Sequence, residues 1–152
     1  MAALLLQAVV LCLYVLGACG TDLQHKERCN VSGVWVNSLG SMLTLSVDEG
    51  SHLRGFLKSS VESSPLAAGE NMIGKVSGVL GSGMEPTLAM SVTWSGGSVS
   101  TWAGQCFQGL KTPVIRTMWL LRSQVDTEDK NWMATRIGED TFHPKRRELN
   151  LS

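Results

Sequence analysis

The chain has one tyrosine in 152 residues, Tyr14, and it sits inside an apolar leader, so everything beyond the leader lacks a phenol. Neither sign of charge is in excess, because thirteen Lys and Arg balance thirteen Asp and Glu. That balance excludes the basic face of a nucleic-acid-binding domain and leaves Lys145-Arg146-Arg147 as a short cluster at a solvated end. Histidine is scarce too. His25, His52 and His143 are scattered, and no metal-ligand spacing connects them with the cysteines. Around Asp140 and these histidines no nucleophile–base–orienter set appears, so no catalytic residue is expected. What the chain does have is five tryptophans, at 35, 94, 102, 119 and 132, and sixteen glycines. Several indoles in a small Gly-rich domain mean either a very aromatic core or an aromatic-walled pocket.

Residues 1–20 read as a secretory signal peptide. The runs Ala2–Leu6 and Val9–Leu16 are apolar, no charge precedes Asp22, and the apolar stretch is too short to favour a membrane span. Small residues at Gly17, Ala18 and Gly20 suit cleavage after Gly20, although a basic start is missing. Leu16-Gly17-Ala18-Cys19 also admits a reading as a bacterial lipidation box. An extracellular protein without a membrane anchor is the expectation from the first reading. Beyond the leader, residues 21–28 form an N-terminal extension, 29–143 one domain and 144–152 a C-terminal tail; about 130 residues fit a single core.

Removing the leader removes Cys12 and Cys19 and leaves Cys29 and Cys106. In an oxidising compartment these most simply form one disulfide, worth about 4 kcal/mol in the chain-entropy model. Two buried free thiols are the alternative. Asn30-Val31-Ser32 and Asn150-Leu151-Ser152 are formal N-glycosylation sequons, which would make a eukaryotic product a glycoprotein.

From Cys29 onward short β-patterned runs alternate with Gly, Ser and Asp. Val34–Val36, Leu43–Val47, His52–Ser60, Asn71–Ser77, Leu88–Trp94, Val99–Phe107, Ile115–Ser123 and Trp132–Ile137 make about eight strands, and no helical stripe interrupts them. Asp48–Ser51, Val79–Glu85 and Gly96-Gly97 mark turns, and Glu62–Glu70 marks a loop. An antiparallel barrel or sandwich is expected. Periodicity puts Ser98, Ser100 and Trp102 on one face, and Trp119 and Leu121 with Ser123 on another. Hydroxyls beside indoles leave a lined pocket and a core with solvent-facing hydroxyls both open.

Gly33-Val34-Trp35-Val36-Asn37-Ser38-Leu39-Gly40-Ser41 resembles the opening motif of the avidin and streptavidin family. Gly104-Gln105-Cys106-Phe107, Thr117–Ser123 (TMWLLRS) and Trp132–Gly138 (WMATRIG) resemble avidin in particular, and the likeness runs from Cys29 to Phe142. The resemblance implies an all-β, eight-stranded antiparallel up-and-down β-barrel that holds biotin as a ligand, without turnover or a catalytic cofactor. It further implies a homotetramer. By position, Asn37 and Ser41 donate to the ureido oxygen, while Ser59 and Asp140 accept from the two ureido NH groups. Ser100 stands by the thioether, and Ser98, Ser63 and Ser64 meet the valeryl carboxylate. Trp94, Trp102 and Trp119 wall the bicyclic ring with Leu121, and Trp132 is lent to a neighbouring subunit.

The chain departs from the family pattern at Leu57, where the family has a tyrosine that supplies a third donor to the ureido oxygen. A lost buried donor commonly costs about 1–3 kcal/mol, so biotin binding weaker than in the tightest members is expected. A water in the donor's place is the alternative, as is a barrel that prefers another small ligand. Glu62 falls in the lid loop, where it repels a ligand carboxylate unless it faces solvent. Glu139 falls beside Met118 and Ile137 at a subunit contact. Paired there it makes a tetramer that weakens as pH rises; exposed, it has no such effect.

Overall fold

Strict alternation of apolar and polar residues lets each strand bury one face and leave the other to solvent. In β5 (Thr87–Thr93), Leu88, Met90 and Val92 are buried, whereas Thr87, Ala89 and Thr93 are exposed. The computed structural model describes residues 27–109 and 111–146. The leader, most of the 21–28 extension, the Asn150 sequon and the tail beyond Arg146 lie outside the described residues.

The other strands are β1 (Gly33–Val36), β2 (Met42–Val47), β3 (His52–Lys58), β4 (Ile73–Leu80), β6 (Val99–Phe107), β7 (Val114–Arg122) and β8 (Thr135–Pro144). Each pairs antiparallel with its sequence neighbour, and β8 returns to β1, closing an eight-stranded up-and-down barrel. Closure removes the open edges that would otherwise recruit further strands. The closing seam is short. It pairs only Trp35 with Pro144 and Val36 with His143, against nine residue pairs from Val99–Arg122 to Phe107–Val114 between β6 and β7.

Most strand boundaries shift from the sequence reading by one or two residues, and two strands shift further. β4 runs on to Leu80 because residues 75–80 pair with β5, so Val79 and Leu80 are strand rather than turn. The last strand begins at Thr135, opposite Arg122, and continues to Pro144. Trp132 instead belongs to a 3₁₀ helix, Glu128–Met133, within the β7–β8 connection, where Asp126 makes an i,i+4 ion pair to Lys130 at 3.1 Å. Its six residues are too few to produce a helical stripe in the sequence.

Consecutive connections alternate between the two barrel ends. Leu45, Leu53, Leu88, Ile115 and Trp35 pack the interior nearer the connections at residues 48–51, 81–86 and 108–113. Trp35 Nε1 donates to the Val31 carbonyl at 2.9 Å, so this indole is satisfied core. At the same end Cys29 and Cys106 form a disulfide, with Cα atoms 5.9 Å apart and 77 residues between them in sequence. Backbone bonds from Cys29 to Met84 and from Cys106 to Pro86 dock both halves on one connection.

Among the described residues no helix is long and apolar enough to cross a membrane, and no cluster of three His, Cys, Asp or Glu side chains could hold a metal.

Candidate functional site

The opposite barrel end, where the connections at residues 37–41, 59–72, 94–98 and 123–134 gather, is hollow. A cavity of about 300 Å³ opens there. Its inner end is polar. Asn37 follows β1, and the 37–41 turn folds round its side chain: Asn37 Oδ1 accepts from Leu39 N at 3.1 Å and from Ser41 N at 2.8 Å. With that oxygen fully engaged, Asn37 Nδ2 donates to Asp140 Oδ1 at 2.8 Å and keeps a second hydrogen. Trp102 Nε1 donates to the other oxygen, Asp140 Oδ2, at 3.1 Å. Asp140 is thus held by β1 and β6 from its own strand β8, with lone pairs still free on both oxygens.

The hydroxyls are polarised in the same way. Ser41 Oγ accepts from Ser60 N at 3.0 Å, which leaves its hydrogen to donate elsewhere. Ser59 Oγ donates to the Val61 carbonyl at 2.6 Å and accepts from Val61 N at 3.3 Å, which leaves it one lone pair to accept from the cavity. Ser100 Oγ accepts from Trp94 Nε1 at 2.9 Å and likewise retains a hydrogen. The cavity therefore presents two groups with a hydrogen left to donate, Asn37 Nδ2 and Ser41 Oγ, and two with lone pairs left to accept, Asp140 and Ser59 Oγ, around one end. Among the described residues no buried side-chain N or O lacks a partner, so this pattern costs the empty protein little.

Apolar walls complete the cavity. Trp94 and Trp102 are buried, Trp119 is half-buried, and Leu57, Leu121 and Phe142 fill between them. Trp102 and Trp119 are cross-strand partners, and Gly138 on β8 is the next partner in that row. A side chain at 138 would overlap the Trp119 ring, so the missing Cβ is what lets that indole lie across β8.

Of the residues singled out in the sequence, Asn37, Ser41, Leu57, Ser59, Ser63, Trp94, Ser98, Ser100, Trp102, Trp119, Leu121 and Asp140 all line this one cavity. Two do not. Ser64 stands outside the lining, and Trp132 projects outward, 82% exposed, from the 3₁₀ helix. Glu139 is exposed on the outer face of β8, paired with Met118 and near Ile137. Glu62 lines the mouth with its carboxylate turned back on its loop, accepting from Leu66 N at 3.3 Å and Ala68 N at 3.4 Å. Asn30 is exposed, and its Oδ1 accepts from Ser32 N at 2.9 Å.

Sequence reasoning missed Leu39, Val61, Ala67, Ala68, Arg136 and Phe142 in the lining. The first four sit on connections, where no periodicity applies. Arg136 and Phe142 were readable, because they share the parity of Asp140 on β8 and so face inward with it.

The model of the Avidin family matches residues 25–145. Avidin of Gallus gallus is 32% identical over 126 residues, covering 76% of this chain and 78% of that protein. Avidin-related protein 4/5 of Gallus gallus is 32% identical over 120 residues, with the same coverage. Among solved structures, the crystal structure of Xenavidin superposes with a TM-score of 0.71 at 34% identity, covering 78% of this chain and all of that one. The X-ray structure of a biotin binding protein from chicken gives a TM-score of 0.71 at 26% identity, covering 78% and 98%. With a family match over most of its length, a closed eight-stranded barrel and relatives above 30% identity, this chain belongs to the avidin family.

Proposed function

We propose that this protein captures biotin noncovalently in the hollow end of the barrel, as a secreted protein. Family members bind biotin without chemical turnover and need no catalytic cofactor. The observation that carries the reading is the donor–acceptor pattern at the inner end of the cavity. A ureido group offers one carbonyl acceptor and two N–H donors. Asn37 Nδ2 and Ser41 Oγ supply donors for the carbonyl, while Ser59 Oγ and Asp140 supply one acceptor for each N–H. Charge on Asp140 favours the positive character that the ureido nitrogens gain when their carbonyl is polarised. The indoles bury the bicyclic ring, and the Trp94–Ser100 pair leaves the Ser100 hydroxyl to face the thioether. Ser98 and Ser63 stand nearer the mouth for the valeryl carboxylate, with Ser64 as an outer contact.

Leu57, 4% exposed in the lining, puts hydrocarbon where the family places a phenol. Affinity is therefore weaker than in the tightest family members, and a different small ligand is the rival reading that this residue favours. Met118, Ile137, Met133 and Trp132 leave an apolar outer surface that a homotetramer would cover, with Trp132 closing a neighbour's cavity. Titration with biotin, followed by tryptophan fluorescence and by Tm, tests the function. Binding should change the emission of Trp94, Trp102 and Trp119 and raise Tm. A flat signal together with an unmoved Tm in excess biotin would rule it out.

A further inference from the structure

Arg136 is a cation on the inner face of the barrel that nothing described so far employs. It shares the β8 row of Gly138, Asp140 and Phe142 and lines the cavity, but it stands at the first inward position of the strand, at the mouth. Among the described residues its guanidinium makes one long hydrogen bond, from Nη1 to Ser123 Oγ at 3.4 Å, and no carboxylate pairs with it. A guanidinium carries five donors in a fork that fits a carboxylate, so most of its hydrogen-bonding capacity is unspent.

The rest of the cavity makes that cation matter. Its other ionisable lining groups are Asp140 at the inner end and Glu62 at the mouth, both acidic. An anionic ligand tail entering past Glu62 would meet repulsion from both unless a positive charge stood at the mouth. Arg136 precedes Asp140 by four strand positions, roughly 13 Å at about 3.3 Å per residue. That span is comparable with a bicyclic head plus its valeryl chain, so a ligand whose ureido group engages Asp140 carries its carboxylate towards Arg136.

We infer that Arg136 is a specificity-determining residue that makes the pocket select ligands ending in a carboxylate over neutral ligands with the same head. This rests on the biotin reading above. The guanidinium pairs with the ligand's anionic end, offsets the Glu62 charge and draws the anion to the mouth from solution. The contact is solvent-exposed and therefore screened by salt, so it acts on selection and capture more than on total affinity.

Biotin and its neutral carboxamide, biotinamide, are to be titrated against the wild-type chain, Arg136→Gln, Arg136→Lys and Arg122→Gln at low and high salt. Arg122 is the charge control: it projects outward from β7 and binds Thr135 Oγ1 at 3.1 Å and Asn131 Oδ1, away from the cavity. Arg136→Gln should weaken biotin about three- to tenfold and leave biotinamide within about twofold, with the difference shrinking in high salt. Arg136→Lys should recover part of the preference, and Arg122→Gln should leave it intact. Equal effects of Arg136→Gln on both ligands, or none on either, overturn the inference while the biotin reading stands. Failure of the wild-type chain to bind either ligand overturns both.

Discussion

At the inner end of the cavity Asn37 and Trp102 both donate to Asp140, joining β6 and the end of β1 to β8, whereas at the mouth Glu62 is bonded only within its own loop, to Leu66 N and Ala68 N. The first arrangement is fixed by strand register, since each side chain holds another from a distant part of the chain. The second is fixed by local turn geometry and lies largely exposed. Groups of the first kind are ordered before ligand arrives and do not charge their ordering to the binding step. Groups of the second kind hold their shape only as well as the loop does. The inner end should therefore govern affinity, and the mouth should govern entry and release.

The sharpest way to break this contrast is Asp140→Ala. It removes the shared acceptor, leaves Asn37 Nδ2 and Trp102 Nε1 without their partner, and should cost about two to three powers of ten in biotin affinity by calorimetry. A loss below tenfold would mean that the inner network is ornament. Leu57→Tyr works in the other direction at the same end. By adding a phenol donor where Leu57 now lines the cavity, it should tighten binding by about ten- to a hundredfold. Unchanged or weaker binding would indicate that a water already fills that role. At the mouth, Glu62→Ala frees the Leu66 and Ala68 N–H groups and loosens the lid, so stopped-flow release should quicken by less than about tenfold with little change in entry rate.

The smallest effect belongs to the far end of the barrel. Asp48 accepts from His52 N and Gly50 N in the β2–β3 turn, and Arg54 stands 3.5 Å away. The His52 N–H is the chief cause that holds its carboxyl below the ordinary aspartate range, with Gly50 N–H, the His52 charge and Arg54 adding to it. A depressed pKa stabilises the fold above that range, and the contribution disappears as pH falls through the folded-state value. Asp48→Asn should thus slightly flatten the acid side of a Tm-versus-pH profile and leave biotin binding unchanged.

How far the sequence could be read follows the same division. Strand parity alone grouped Ser98, Ser100 and Trp102, and it holds equally for Arg136 and Phe142, which share the face of Asp140. Family motifs supplied the remaining positions, Asn37, Ser41 and Ser59, which sit at or beyond strand ends where parity fades. Nothing in the sequence revealed which way each hydroxyl points its hydrogen. That depends on a backbone group brought close by folding, Ser60 N for Ser41 and the Val61 carbonyl for Ser59. The short 3₁₀ helix went unread because six residues are too few to show a period, and Trp132 looked like strand for the same reason.

The β8–β1 closure carries a consequence of its own. The disulfide loop encloses β1 to β6 and leaves β7 and β8, with Trp119, Arg136 and Asp140, outside it. The barrel is therefore shut on that side by two residue pairs, by the Lys145 N–H donating to the Val34 carbonyl at 2.8 Å, and by the Asn37–Asp140 hydrogen bond. A ligand gripped by Asn37 on one side and Asp140 on the other would act as a clasp on a hoop, fastening the joint where the wall is thinnest. Occupancy of the cavity and integrity of the barrel then become one equilibrium seen from two sides, and a filled barrel resists opening at the place where an empty one opens first.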